Sequence, residues 1–236
     1  MKAVILAGGF GKRLKPLTDE KPKPMIEVND RPIIEWQLRW LKSNGIDDIV
    51  ICVGYMKEHI INYVGSGSKL AVKVGYTVED EPLGTGGALK NAEALLSNEA
   101  SFLMLNGDVL TNITTANLKE NLTNDLVATL AVVPLPSPFG IVDIDENSKV
   151  LGFKEKPKIN QFWINAGVYC FSKKIFGYLP EKGNIETTAL PRLAKEKKLK
   201  AIKYEHTFWR SIDSHKDIEE ASVELGPLSK KTSLTK

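Results

Sequence analysis

Three of the four residues Gly8, Gly9, Phe10 and Gly11 are glycines, and they follow a short apolar run directly. A backbone without Cβ atoms can fold tightly and turn its N–H groups toward an anion. Behind the turn stand Lys12, Arg13, Lys15, Lys21 and Lys23, five cations within twelve residues, interrupted by Pro16 and Pro22 and followed by Pro24. Proline fixes φ and denies helix, so these cations sit on a stiffened loop. Arginine can clamp phosphate oxygens bidentately and lysine adds a compact charge. Together they predict a loop that holds a polyphosphate. Two familiar phosphate loops do not fit. Arg13 follows Lys12 where a Walker loop needs Ser or Thr, and the second apolar run ends Val53-Gly54-Tyr55, without the acid that takes a ribose in dinucleotide sites.

Carboxylates supply the other half of the chemistry. Asn106-Gly107-Asp108 closes an apolar run, and one or two carboxylates suit a magnesium ion that keeps its other positions for phosphate and water. Residue 110 is Leu, so the Asp-x-Asp pattern of a glycosyltransferase is absent. A second acid, Asp213, lies in Phe208-Trp-Arg-Ser-Ile-Asp-Ser-His215, and Glu79-Asp-Glu-Pro-Leu-Gly84-Thr-Gly-Gly87 stands between a strand and a helix. From composition alone the latter reads as a helix entrance capped by Thr85. His59, His206 and His215 lack metal-ligand spacing.

The stretch Leu6-Ala7-Gly8-Gly9-Phe-Gly11-Lys12-Arg13-Leu-Lys-Pro-Leu-Thr18, followed by Lys21-Pro-Lys23-Pro-Met25, closely resembles the opening of sugar-1-phosphate nucleotidylyltransferases. The resemblance implies that this loop holds a nucleoside triphosphate and that Arg13 and Lys23 grip the phosphates. Glu79, Pro82, Gly84 and Thr85 look like the base-recognition loop of the mannose- and heptose-1-phosphate guanylyltransferases, with Gly107 beside the nucleotide. Asp108 matches the family's metal aspartate. The second metal position is ambiguous. The commonest form, Trp-x-Asp-Ile-Gly-Thr, would place its aspartate on Ser211, whereas Trp-x-x-x-Asp-Ser resembles the glucose-1-phosphate cytidylyltransferase branch and selects Asp213. Residues two apart on a strand share a face, so either can reach the same ion. By the same resemblance Gly140, Glu155, Lys156, Asn165 and Gly167 complete a sugar-phosphate pocket, with Lys156 on the phosphate. Magnesium is the implied cofactor.

These groups must be positioned by elements, and the hydrophobic pattern supplies them. Apolar runs at 2–7, 48–53, 72–78 and 101–106 read as buried strands. Helical spacing occurs from Pro32 to Gly45, near 56–64 and over 86–97, which is the β-loop-α order of a parallel sheet. After about residue 125, strand-like runs at 126–133, 139–144, 149–154, 163–171 and 200–204 predict a mixed, partly antiparallel extension of the same sheet. Helices return around Leu190–Ala194 and Ile218–Leu225, the last capped by Ser214 with Asp217. The expected fold is α/β: a three-layer, Rossmann-like nucleotidyltransferase fold around a mixed, mainly parallel sheet. A single catalytic domain over 1–225 and a frayed tail over 226–236 are expected.

Composition bounds the rest. The 236 residues are 42% hydrophobic and carry a net charge of +3, too little to imply nucleic-acid binding. No apolar run approaches the roughly 18 residues that would span a membrane. Cys52 and Cys170 sit in apolar runs and read as reduced core, so a cytoplasmic protein is expected. The partners are then a nucleoside triphosphate and a sugar 1-phosphate, with homo-oligomerisation left open. GTP with mannose 1-phosphate is the leading pair. Cytidylyl, uridylyl or thymidylyl transfer to glucose 1-phosphate, an amino sugar or a heptose 1-phosphate is the alternative. A non-catalytic nucleotide-sugar-binding regulatory subunit is the rival from another class, and an NAD-dependent dehydrogenase is disfavoured by the missing ribose acid.

Overall fold

The computed structural model describes residues 1–231. The four early apolar runs form β1 (Ala3–Ala7), β4 (Asp48–Val53), β5 (Lys73–Val78) and β6 (Ser101–Asn106). Between β1 and β4 lie a two-stranded ribbon, β2 (Glu27–Val28) with β3 (Arg31–Pro32), and helix α1 (Ile33–Ser43). Helix α2 (Lys57–Val64) joins β4 to β5. The single helix predicted over 86–97 is instead α3 (Gly84–Asn91) and α4 (Glu93–Leu96), broken at Ala92, whose ψ of −2° leaves the helical range. Then follow β7 (Val109–Thr111), α5 (Ala116–Glu120), β8 (Ala128–Pro136), β9 (Ile141–Ile144), β10 (Val150–Lys154), β11 (Lys158–Ser172), α6 (Ala189–Lys195), β12 (Leu199–Lys203), β13 (Trp209–Ser211) and α7 (His215–Lys231).

Seven strands make the central sheet in the order β12-β8-β11-β6-β1-β4-β5. β1 pairs parallel with β4 and β6, whereas β11 runs antiparallel to both β6 and β8, giving the mixed sheet the sequence predicts. Alternation along β1 sends Ala3, Ile5 and Ala7 to one face, under α1, α2 and α5. Val4 faces the other side, under α3, α4 and α6. Both buried cysteines are free. No helix among the described residues is long and apolar enough to cross a membrane.

Two expectations need correction. The runs at 139–144 and 149–154 do not extend the central sheet; β9 and β10 pair only with each other as a separate antiparallel ribbon. β8 stays paired with β11 as far as Pro136, which lies opposite Lys158, so that neighbour is already taken where the chain leaves the sheet toward β9, and Pro138 fixes φ at the exit. Nor does the expected tail begin at 226: α7 runs to Lys231, and 232–236 lie outside the described residues. The predicted cap of that helix is present as a reciprocal box. The Asp217 carboxylate accepts the Ser214 N–H at 2.7 Å, and the Ser214 hydroxyl accepts the Asp217 N–H at 3.3 Å.

Candidate active site

The chain leaves β1 toward β4 on one side and returns in β6 on the other, which opens a crevice at the carboxyl ends of both strands. Gly107 lies against the end of β1: its N–H bonds the Leu6 carbonyl at 2.9 Å, and a Cβ at this position would stand 2.2 Å from that oxygen. Only glycine permits this approach, so the glycine turn after β1 and the aspartate after β6 meet at one rim.

The basic loop is pinned by buried anchors beside its cations. Lys12–Leu14 and Lys23–Met25 are single 3₁₀ turns. Leu14 next to Arg13 is fully buried, and Pro24 next to Lys23 is buried. Gly11, at φ +61°, accepts hydrogen bonds from the Leu14 N–H at 2.9 Å and the Thr18 hydroxyl at 3.1 Å, closing the loop on itself. Of the five cations, Lys12, Arg13 and Lys23 line the crevice. Lys15 pairs with Asp19 and Lys21 with Glu27 at the surface, so those two leave the expected phosphate grip.

The second carboxylate arrives from far along the chain. β13 pairs antiparallel with β7, placing Ser211 opposite Val109, and the Ile212 N–H bonds the Asp108 carbonyl at 2.9 Å. A small core of Leu14, Ile26, Ile33, Leu110, Ile212, Ala221 and Leu225 packs the basic loop, this ribbon and α7 together. The result is a tight charge cluster. The Lys23 ammonium lies 2.7 Å from Asp108 Oδ2 and 2.7 Å from Asp213 Oδ1, and Arg13 Nη2 reaches the same Asp213 oxygen at 2.9 Å. The Ser211 hydroxyl donates to Asp213 Oδ2 at 3.0 Å. Thus the carboxylate beside Asp108 is that of Asp213, and Ser211 supports it. Burial raises the Asp213 pKa, but Lys23, Ser211 and Arg13 outweigh it and hold the carboxyl below its ordinary value.

The crevice encloses about 400 Å³ and is lined by Leu6, Ala7, Gly8, Gly9, Gly11, Glu79, Pro82, Gly84, Thr85, Gly107, Asp108 and Asp213 beside the three cations. That gathers every nucleotide and metal residue expected from the sequence. Glu79 lies across the bare backbone of Gly8, where a Cβ would stand 2.6 Å from its Oε1. Its Oε2 accepts the Leu83 N–H at 3.0 Å, and burial pushes its carboxyl pKa up against that bond. The Thr85 hydroxyl donates to Glu186 at 2.6 Å and accepts the Ile185 N–H at 2.9 Å, so it pins the 183–186 loop.

Three contributors lie outside the sequence prediction. Asn106 and Asn184 line the crevice. Buried Gln37 of α1 donates to the carbonyls of Asn106 and Val109, both at 2.9 Å, and so holds the Asp108 turn from behind. Nothing in local spacing marks Asn184 or Gln37, because each acts across a long stretch of chain.

The five sugar-side residues do not line this crevice. Gly167, at φ +67°, packs against it through Asn106: a Cβ there would meet the Asn106 amide at 2.9 Å. Asn165 accepts the Gly167 N–H at 3.0 Å and donates to the Tyr169 hydroxyl at 2.5 Å. Gly140, Glu155 and Lys156 belong to the β9–β10 ribbon and its flanks. A Cβ on Gly140 would meet the Phe153 ring at 2.5 Å, and Lys156 pairs with Glu155 at 3.4 Å in the open.

Comparison with known proteins points to one family. A D-glycero-alpha-D-manno-heptose 1-phosphate guanylyltransferase of Campylobacter jejuni is 38% identical over 188 residues, 79% of this chain and 83% of that protein. A mannose-1-phosphate guanylyltransferase catalytic subunit beta of Dictyostelium discoideum is 35% identical over 92% of this chain, which spans only 62% of that protein's length. The crystal structure of HddC from Yersinia pseudotuberculosis superposes with a TM-score of 0.75 at 29% identity, covering 95% of this chain and 99% of that one. The same protein complexed with GMP-PN gives 0.74. The family model described as nucleotidyl transferase matches residues 2–226, from the strand before the glycine turn to the helix behind Asp213. The chain belongs to the nucleotidyl transferase family.

Proposed function

We propose that this chain transfers a guanylyl group from GTP to a sugar 1-phosphate, with mannose 1-phosphate and heptose 1-phosphate the first acceptors to test, and releases pyrophosphate. The observation that carries this reading is the convergence of Arg13, Lys23, Asp108 and Asp213 beside the glycine turn. A phosphate oxygen of the sugar phosphate forms a bond to the α-phosphorus while the bond from that phosphorus to the bridging oxygen breaks. The attacking oxygen is already anionic near neutral pH, so the chain needs no general base. Its task is to align two polyanions and offset their repulsion.

Each group then has a part. Gly8, Gly9 and Gly11 let backbone N–H groups approach the triphosphate. Arg13, mostly exposed at the mouth, meets phosphate oxygens, and Lys23 does so from inside. Lys156 carries its charge to the sugar phosphate from the ribbon. Asp108 and Asp213 fit a magnesium ion: two hard carboxylate oxygens converge within 2.7 Å of one point, now taken by the Lys23 nitrogen. When bound there, the ion neutralises charge on the phosphate oxygens.

Guanine is favoured by Glu79. Guanine presents N1–H and an exocyclic amine side by side, and a carboxylate accepts both, whereas uracil and thymine place a single N–H between two carbonyl oxygens. Glu79→Gln therefore lowers the preference for GTP over UTP by about ten- to a hundredfold, the worth of one charge-assisted hydrogen bond. Pyrophosphate release from each common triphosphate, assayed with several sugar phosphates, tests the assignment. Turnover with GTP and a manno-configured sugar supports it, and turnover confined to another triphosphate refutes it. Two buried free cysteines accord with the reducing setting of a cytoplasm.

A further inference from the structure

We propose that Lys23 is a built-in stand-in for the divalent cation, so that the free protein excludes the metal until a triphosphate draws the ammonium away. The proposal rests on the reading that Asp108 and Asp213 hold that cation. The Lys23 nitrogen lies 2.7 Å from an oxygen of each carboxylate, the position a bridging ion would take, and its side chain is only 12% exposed. Arg13 adds a second positive charge on Asp213 at 2.9 Å. Two carboxylates against an ammonium and a guanidinium sum to zero, so the site exerts no net pull on a further dication. A divalent ion cannot share the same two oxygens with an ammonium at that distance.

The chain is built for the exchange. The Lys23 backbone is fixed, because Pro24 is buried and the Ile26 N–H bonds the Lys23 carbonyl at 3.0 Å. Only the four-carbon stem is free to swing. Gly11 leaves that stem room: a Cβ on Gly11 would stand 3.0 Å from the Lys23 Cβ. The stem roots beside the glycine turn, so a triphosphate seated there offers the ammonium new oxygen partners within its reach. Lys23 then crosses from carboxylate to phosphate, and the vacated oxygens take the ion. Nucleotide and metal binding are coupled through one side chain, and the coupling acts equally in both directions.

The test counts bound Mn²⁺ by electron paramagnetic resonance, with and without a non-hydrolysable GTP analogue, and needs no turnover. The nucleotide-free wild type is expected to bind Mn²⁺ weakly. Lys23→Met, which keeps the stem and removes the charge, binds it about tenfold or more tightly without nucleotide. Lys23→Gln does the same, and adding Asp213→Asn to either removes the gain. Equal affinity in wild type and both variants overturns the proposal, as does tight Mn²⁺ binding by the nucleotide-free wild type; the latter decides the matter even if neither variant folds. The underlying metal reading fails separately: Asp213→Asn would then leave Mn²⁺ binding unchanged with the GTP analogue present.

Discussion

The β1–β6 rim and the β9–β10 ribbon both carry residues expected to touch substrate, yet they are held in opposite ways. At the rim, Gly107 is wedged against the Leu6 carbonyl, Gln37 braces the Asp108 turn from α1, and the Lys23 side chain is 12% exposed. On the ribbon, Phe139, Ile144, Val150, Leu151 and Phe153 are all 59% exposed or more, and the Lys156–Glu155 pair is open to water. Buried packing fixes the backbone from which the charges project, so only the Lys23 stem has to move to meet phosphate before the reaction. An exposed ribbon fixes little. The contrast argues that the nucleotide side is preorganised and that the sugar side is completed when substrate arrives.

The largest effect that separates these regions is expected from Lys23→Ala. Loss of the Lys23 charge at the rim lowers kcat/KM by about a hundred- to a thousandfold. Pyrophosphate release measures this, with circular dichroism to verify the fold, and a loss below about fivefold would remove Lys23 from the mechanism. Next comes Gly107→Ala. A Cβ placed 2.2 Å from a backbone oxygen forces β1 and β6 apart, so stability falls by about 1–3 kcal/mol in urea titrations. An unchanged midpoint would show that the rim yields more readily than its packing implies. Lys156→Ala sharpens the other side of the comparison. If the ribbon closes on substrate, KM for the sugar phosphate rises about tenfold while kcat changes little. A fall confined to kcat would mean that Lys156 is already in place.

The smallest effect concerns pH. The folded Asp213 pKa is depressed, so its contribution to stability is present above its unfolded value of about 3.9 and is lost as pH falls through the folded value. The stability gap between wild type and Asp213→Asn therefore narrows below about pH 3.9 in metal-free buffer. A gap that stays constant down to pH 2 would show that the contact is not ionic.

How much of this was legible depends on the range of each interaction. β4 and β6 match the apolar runs residue for residue, because a strand buried on both faces is written locally. The glycine turn and Asp108 were readable for the same reason: each is the end of such a run. Asp213 was not separable from Ser211, since residues two apart share a face. The pairing of β13 with β7, about a hundred positions away in the chain, is what brings Asp213 to Asp108. Gln37 and Asn184 carry no local mark at all. The misplaced ribbon has a further cause. Its alternating pattern resembles a sheet strand, but along β8 as far as Pro136 the neighbour is the long strand β11, and β9 and β10 pair only with each other.

The central claim is that a divalent cation held by Asp108 and Asp213 joins Arg13 and Lys23 of the rim in bringing the two anionic substrates together. It is tested most directly by titrating magnesium into pyrophosphate-release assays with GTP and mannose 1-phosphate, comparing wild type, Asp108→Asn, Asp213→Asn and Ser211→Ala. The account predicts metal-dependent turnover that falls by about a hundredfold or more in each aspartate variant and far less in Ser211→Ala. Near-normal, metal-saturable turnover in Asp108→Asn, or greater damage from Ser211→Ala than from Asp213→Asn, would contradict it.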